Sequence, residues 1–239
     1  MATLNVEFFH DVICSFCYPM SYRMREISKA VPELNIIHRS FALAQSSDDL
    51  VMMFGSHEGA KKEIMNHWEH ANENDTLHRF NIEGMKQESF LFPTSLVPLT
   101  AAKAAYLVGG DDLYWDAFDA LQKGLFTDTR DVSNVEVVKD IIKTVNLDFD
   151  LWLKYFESGE ALNAVEADFE RVKTYGIRSV PSLVVEGKYL INGALDENYL
   201  IEVLKKKLAE KEQEHHLELV EEGPGGNACN FENGKWNCD

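Results

Sequence analysis

Two thiols three positions apart, in Cys14-Ser15-Phe16-Cys17, are the side chains of this 239-residue chain best suited to chemistry. Such a pair can open and close a disulfide, or supply half of a zinc site. Placement favours redox work. The pair follows Leu4-Asn5-Val6-Glu7-Phe8-Phe9, whose alternation reads as a strand, and it opens a helical stretch over 15–30. Unpaired backbone N–H groups and the helix dipole favour an anion at such an N-terminus, so a thiolate on Cys14 is stabilised there. His10, four residues earlier, is a candidate for tuning that thiolate, or else a strand-end histidine in contact with solvent.

The other two cysteines, Cys229 and Cys238, flank Asn233-Gly234, a strong two-residue hairpin signal. Folding there opposes Glu232 to Lys235, Phe231 to Trp236, Asn230 to Asn237 and Cys229 to Cys238. Every opposed pair is chemically matched, and opposed ladder positions lie within disulfide range. The pair is thus an auxiliary redox couple, a structural staple, or two thiols of a loose tail that stay reduced or bind metal. His67 and His70, with Glu63, His57 and His78 nearby, lack the spacing of a tight metal motif and read as a polar helix face, as does His215-His216. No metal or cofactor is expected, and neither a phosphate-cradling glycine loop nor a nucleophilic-serine elbow occurs.

The elements around these residues begin with a second strand, Leu34 through Phe41, which completes a β-α-β unit with parallel strands. Helical spans follow at 57–72, 98–107, 113–124, 135–145 and 161–175, with Gly109-Gly110 as a breaker and Ser133/Glu136 as a capping box. Ser182-Leu183-Val184-Val185-Glu186 and Lys188-Tyr189-Leu190-Ile191-Asn192 then read as a hairpin joined at Gly187, before a last amphipathic helix from about 197. The fold class is α/β, a thioredoxin-like core (β-α-β, then α-β-β-α) with a large all-helical insertion and a tail hairpin. Residues 1–44 and 165–205 would form the core, 45–164 the insert, and 206–239 a charged helix extension with the cysteine-containing tail. Trp68, Trp115 and Trp152 read as insert core, and Phe90, Leu91, Phe92, Leu96 and Val97 as lining a cleft between insert and core. Val180-Pro181 stands at the entrance of the third strand, where a trans proline is ordinary and a cis bond would let the preceding backbone approach the cysteines.

These motifs together resemble the DsbA-type thioredoxin superfamily, and most nearly its FrnE-like branch of dithiol-disulfide oxidoreductases and isomerases. His10-Asp11-Val12-Ile13-Cys14-Ser15-Phe16-Cys17-Tyr18 is similar to the branch's opening, Gly176 to Gly193 to its cis-proline loop and last hairpin, and Phe126 with Asp131-Val132-Ser133 to a turn in its insert. The resemblance spans about 3–205. It implies Cys14 as nucleophile, Cys17 as resolving thiol and Pro181 as a cis proline shaping a substrate groove, with Val180, Ser15 and Phe16 beside the substrate. Ser15-Phe16 replaces the usual Pro-Trp, Pro19-Met20 replaces small residues and predicts a kinked first helix, and the stretch from Thr94 to Thr100 departs from the branch's pattern. Relatives also include glutathione-dependent isomerases, which generally carry Ser at the nucleophile position, and non-catalytic adaptors that present a client to a protease.

Bulk properties narrow the partners. Forty acidic residues against 23 basic give a formal net charge of -17, which repels phosphate backbones and anionic membranes. No nucleic-acid or membrane partner is expected, while the oligomeric state is open. The N-terminus enters the first strand without a basic or apolar leader, so a cytoplasmic protein acting on protein or small-thiol disulfides is the expectation.

Overall fold

A computed structural model describes residues 3–214 and, as backbone, 229–232 and 235–238. Strand β1 (Leu4–His10) lies inside a four-stranded sheet of order β2-β1-β3-β4, parallel to β2 (Leu34–Ser40) and antiparallel to β3 (Ser182–Val185), which pairs in turn with β4 (Tyr189–Asn192). Covered on both faces, β1 buries six of its seven residues, Glu7 and His10 among them, although its sequence alternates. Leu4, Val6 and Phe8 pack with Met20, Met24 and Ile27 of α1 (Cys17–Ala30) and with Leu200 and Leu204 of α9 (Glu197–Glu214). Phe9 faces the other way, onto Val184 and Ile177.

Pro19 does not kink α1. It lies in the first turn, where its missing N–H costs no helical bond, and the helix runs unbroken to Ala30. The intervening helices are α2 (Ser47–Phe54), α3 (His57–Asn74), α4 (Ile82–Gln87), α5 (Leu96–Phe126), α6 (Val135–Ile142), α7 (Phe149–Glu157) and α8 (Glu160–Tyr175). α2, α4 and α7 are absent from the sequence reading, although α7 is one residue longer than α6, which that reading contains. The capping box belongs to α2, between Ser46 and Asp49. Asn134 caps α6 instead of Ser133, whose hydroxyl accepts the Thr94 N–H at 2.6 Å.

α5 is broken where the glycines predict it, Gly110 lying at φ 78° and ψ -160°. Its second half carries Trp115 into the sheet core, not the insert core, with the indole N–H donating to Ser21 Oγ at 2.8 Å. Trp68 and Trp152 do belong to the helical core. In the tail, β5 (Cys229–Glu232) and β6 (Lys235–Cys238) pair antiparallel in the expected register, Cys229 opposite Cys238. Residues 233–234 and the side chains of Cys229 and Cys238 lie outside what is described, as do His215 and His216.

Candidate active site

The segment after β1 turns so that the Cys14 N–H bonds to the Asp11 carbonyl at 3.2 Å and the Cys17 N–H to the Cys14 carbonyl at 3.0 Å. The same Cys17 N–H, at the first residue of α1, lies 3.2 Å from Cys14 Sγ. A thiolate on Cys14 would therefore accept a backbone donor at the positive end of a helix. Both thiols are free. Cys17 is fully buried, and burial, reinforced by its hydrogen bond with Cys14 and by the Cys14 charge, pushes its thiol up well above the ordinary range.

Val180 brings the second half of the site. The Val180–Pro181 peptide is cis, and Cys14 Sγ lies 3.6 Å from the Val180 carbonyl as its donor. Cys14, Ser15, Phe16 and Val180 share the lining of a pocket of about 220 Å³ with Ile13, Leu43, Ala44, Leu50, Met53, Phe54, Ile64, Phe92 and His67. Helices α2 and α3 of the insert thus wall the space in front of the thiol. Of the predicted cleft residues, Phe92 lines this pocket. His67, read from sequence as surface, lines it too, half exposed and 4.0 Å from Glu63.

Asp11, in the sequence only a part of the opening motif with no role given to it, is a structural centre of the loop. Fully buried, its carboxylate accepts Ile13 N–H (3.2 Å), Leu43 N–H (2.7 Å) and Ser95 Oγ–H (2.7 Å). Burial raises its carboxyl to about 6 against these three donors. Gln122 holds the same loop, its amide donating to the Asp11 and Val12 carbonyls at 3.4 and 3.5 Å. An acid immediately after an apolar strand was the available signal.

His10 is not at the solvent. It is fully buried among Phe8, His38, Tyr114 and Phe118, with Nε2 3.1 Å from Tyr114 Oη. Burial, with the neighbouring His38 and Lys103 charges, lowers its imidazole well below the ordinary range. Kept neutral, it brings no charge to Cys14. Among the described residues no group of His, Cys, Asp or Glu is arranged to hold a metal, and no helix is long and apolar enough to cross a membrane.

A mixed four-stranded sheet, a dithiol between β1 and α1, a cis-proline turn before β3 and a helical block between β2 and β3 define a thioredoxin-like protein with a helical insertion. Residues 5–208 match the DSBA-like thioredoxin domain, and the chain belongs to that family. Three solved structures are similar in fold. A candidate protein disulfide isomerase from Nitrosomonas europaea superposes with a TM-score of 0.70 at 20% identity, covering 90% of this chain and 100% of that one. A candidate DsbA oxidoreductase from Streptomyces coelicolor gives 0.68 at 20%, covering 99% and 98%. The cytosolic disulfide reductase DsbM from Pseudomonas aeruginosa gives 0.63 at 15%, covering 88% and 98%. No curated protein matches.

Proposed function

We propose that this chain is a thiol–disulfide oxidoreductase of the FrnE-like kind, acting in the cytoplasm on protein disulfides. The observation that carries the reading is Cys14 Sγ, set against the Cys17 N–H at 3.2 Å and opening into an apolar pocket beside Val180. In the proposed exchange the Cys14 thiolate attacks one sulfur of a substrate disulfide and releases the other as a thiolate. Cys17, held protonated by burial, then loses its proton and attacks Cys14 Sγ, which frees the second substrate sulfur and leaves Cys14–Cys17 oxidised. Pro181, Ser15 and Phe16 would border the bound substrate. Run backwards, the same steps oxidise a dithiol, and a reducing compartment favours the reductase or isomerase direction.

A small thiol as co-substrate is the second reading, because DsbM was also solved with GSH. The pocket beside Cys14 supports protein substrates better. Its lining is apolar apart from Ser15, Cys14 and His67, with neither Lys nor Arg to meet a tripeptide's two carboxylates. Reduction of insulin disulfides by wild type, Cys14→Ser and Cys17→Ser tests the proposal. Wild type should accelerate reduction, Cys14→Ser should fall to the uncatalysed rate, and Cys17→Ser should accumulate a covalent mixed disulfide through Cys14. An inert wild type that binds one protein partner without a covalent bond would favour an adaptor.

A further inference from the structure

Methionines are placed unevenly around the pocket in front of Cys14. Of the six within the described residues, Met20, Met24, Met65 and Met85 are buried, none more than 5% exposed. Met52 and Met53 are 84% and 53% exposed, side by side on α2. Consecutive helical positions point about 100° apart, so the two thioethers have different surroundings. Met53 lines the pocket with Leu43, Leu50, Phe54, Ile64 and Phe92, and Met52 is not part of that lining. A thioether is oxidised where an oxidant can reach it, and the product is a polar sulfoxide. Among the described residues the accessible thioethers are these two, and one of them belongs to the wall of the thiol's own pocket.

We propose that Met53 is a modification site at which hydrogen peroxide reversibly weakens the binding of a client peptide. The inference rests on the client-binding role given above to this pocket. The Met53 Sδ lone pair attacks one peroxide oxygen, and the S–O bond forms as the O–O bond breaks. The proton of the transferred oxygen passes to the departing hydroxide, so the products are a sulfoxide and water. The sulfur is oxidised by two electrons and the peroxide reduced by two. The new oxygen is a hydrogen-bond acceptor among apolar side chains, and besides the Cys14 thiol only Ser15 and His67 of the pocket lining carry side-chain donors. A client side chain packed over that oxygen strips its water without replacing the bond, which costs affinity. Cys14 keeps its backbone donor, since Met53 belongs to α2 and not to the cysteine loop. A methionine sulfoxide reductase, oxidising a dithiol, returns the thioether and water and so restores the apolar wall.

The test uses the full chain with every thiol first blocked as a disulfide by oxidised glutathione, so that peroxide meets the thioethers alone. Dithiothreitol then frees the cysteines and leaves sulfoxides in place, and peptide mass mapping reads each methionine. Turnover is compared, each protein against its own untreated sample, on a peptide disulfide flanked by leucines and on hydroxyethyl disulfide, which has no side chain to pack on Met53. Met52 and Met53 should gain oxygen well before the four buried methionines. KM for the leucine peptide should rise about fivefold with kcat nearly unchanged. Turnover of hydroxyethyl disulfide should stay as it was, and a sulfoxide reductase should reverse the rise in KM. Met52→Leu should keep this response and Met53→Leu should lose it. A Met53 that stays reduced while Met52 is oxidised, a KM that does not move, or a rise that persists in Met53→Leu overturns the proposal alone. Untreated protein inert toward both disulfides sinks the exchange chemistry of Cys14, and this inference with it.

Discussion

Ser95 Oγ donates to Asp11 Oδ2 at 2.7 Å, joining the start of α5 to the cysteine loop across 84 residues of sequence. The same hydroxyl accepts the Ala44 N–H at 3.1 Å, and the Ser95 N–H reaches the Ala44 carbonyl at 2.7 Å. One serine thus ties the helical block, the segment after β2 and the segment after β1 into a single polar knot behind the thiols. Ser95→Ala leaves a buried carboxylate and a buried N–H each short of a partner. The expected loss is about 1–3 kcal/mol in urea unfolding, and an unshifted midpoint would show that the bond adds nothing.

Asp11 gives stability a pH slope. Its folded-state carboxyl is raised from the ordinary 3.8 to about 6, so the native protein holds this proton more tightly than the unfolded chain. The contribution is fully present below about pH 4 and is lost as pH rises through 6, worth about 3 kcal/mol for a shift of this size. A carbon-detected titration of the Asp11 carboxyl should show a midpoint near 6, and Asp11→Asn should remove this slope from the stability profile. A midpoint near 4 would refute the assignment.

Glu7 acts in the opposite sense. Burial alone would raise its carboxyl, but hydrogen bonds from Arg171, Tyr175 and Arg39 overcome that and hold it at about 2. Its stabilisation is present above about pH 4.5 and disappears as pH falls through 2, again about 3 kcal/mol. Glu7→Gln should therefore be less stable than wild type at pH 7 and converge with it near pH 2, as read by circular dichroism during acid titration.

Met53 stands at the rim of the pocket, 53% exposed, so changing it spares the core. Met53→Glu should raise KM for a peptide disulfide flanked by leucines by about tenfold, the worth of one buried apolar side chain, and leave kcat nearly unchanged. Equal KM values for the two proteins would remove the pocket from substrate binding.

Gly110 occupies a backbone region open essentially to glycine alone, and a Cβ there would meet no atom within 4 Å. Gly110→Ala therefore isolates the backbone term, about 1–3 kcal/mol by thermal unfolding.

Much of the scaffold was legible because its signals are local. The strand-to-helix position of Cys14, the hairpin after Pro181, the break at Gly109-Gly110 and the tail register each depend on neighbours within a dozen residues. Residues whose meaning is set by distant partners were not. His10 looked like a surface residue because Tyr114 and Phe118, which bury it, lie a hundred positions away. Trp115 joined the sheet core because the bend at Gly110 redirects its half of α5, and Asp11, part of the opening motif, had no legible role because Ser95 and Leu43, which close around it, are distant in sequence.

Of the two free thiols, Cys14 opens into the pocket while Cys17 has none of its surface at the solvent. In the proposed chemistry this makes a chemically symmetric pair regiospecific: a client sulfur can bond to one partner only. Every adduct has one connectivity, so a Cys17→Ser protein becomes a bait whose trapped clients all hang from the same atom and can be released together by a reductant.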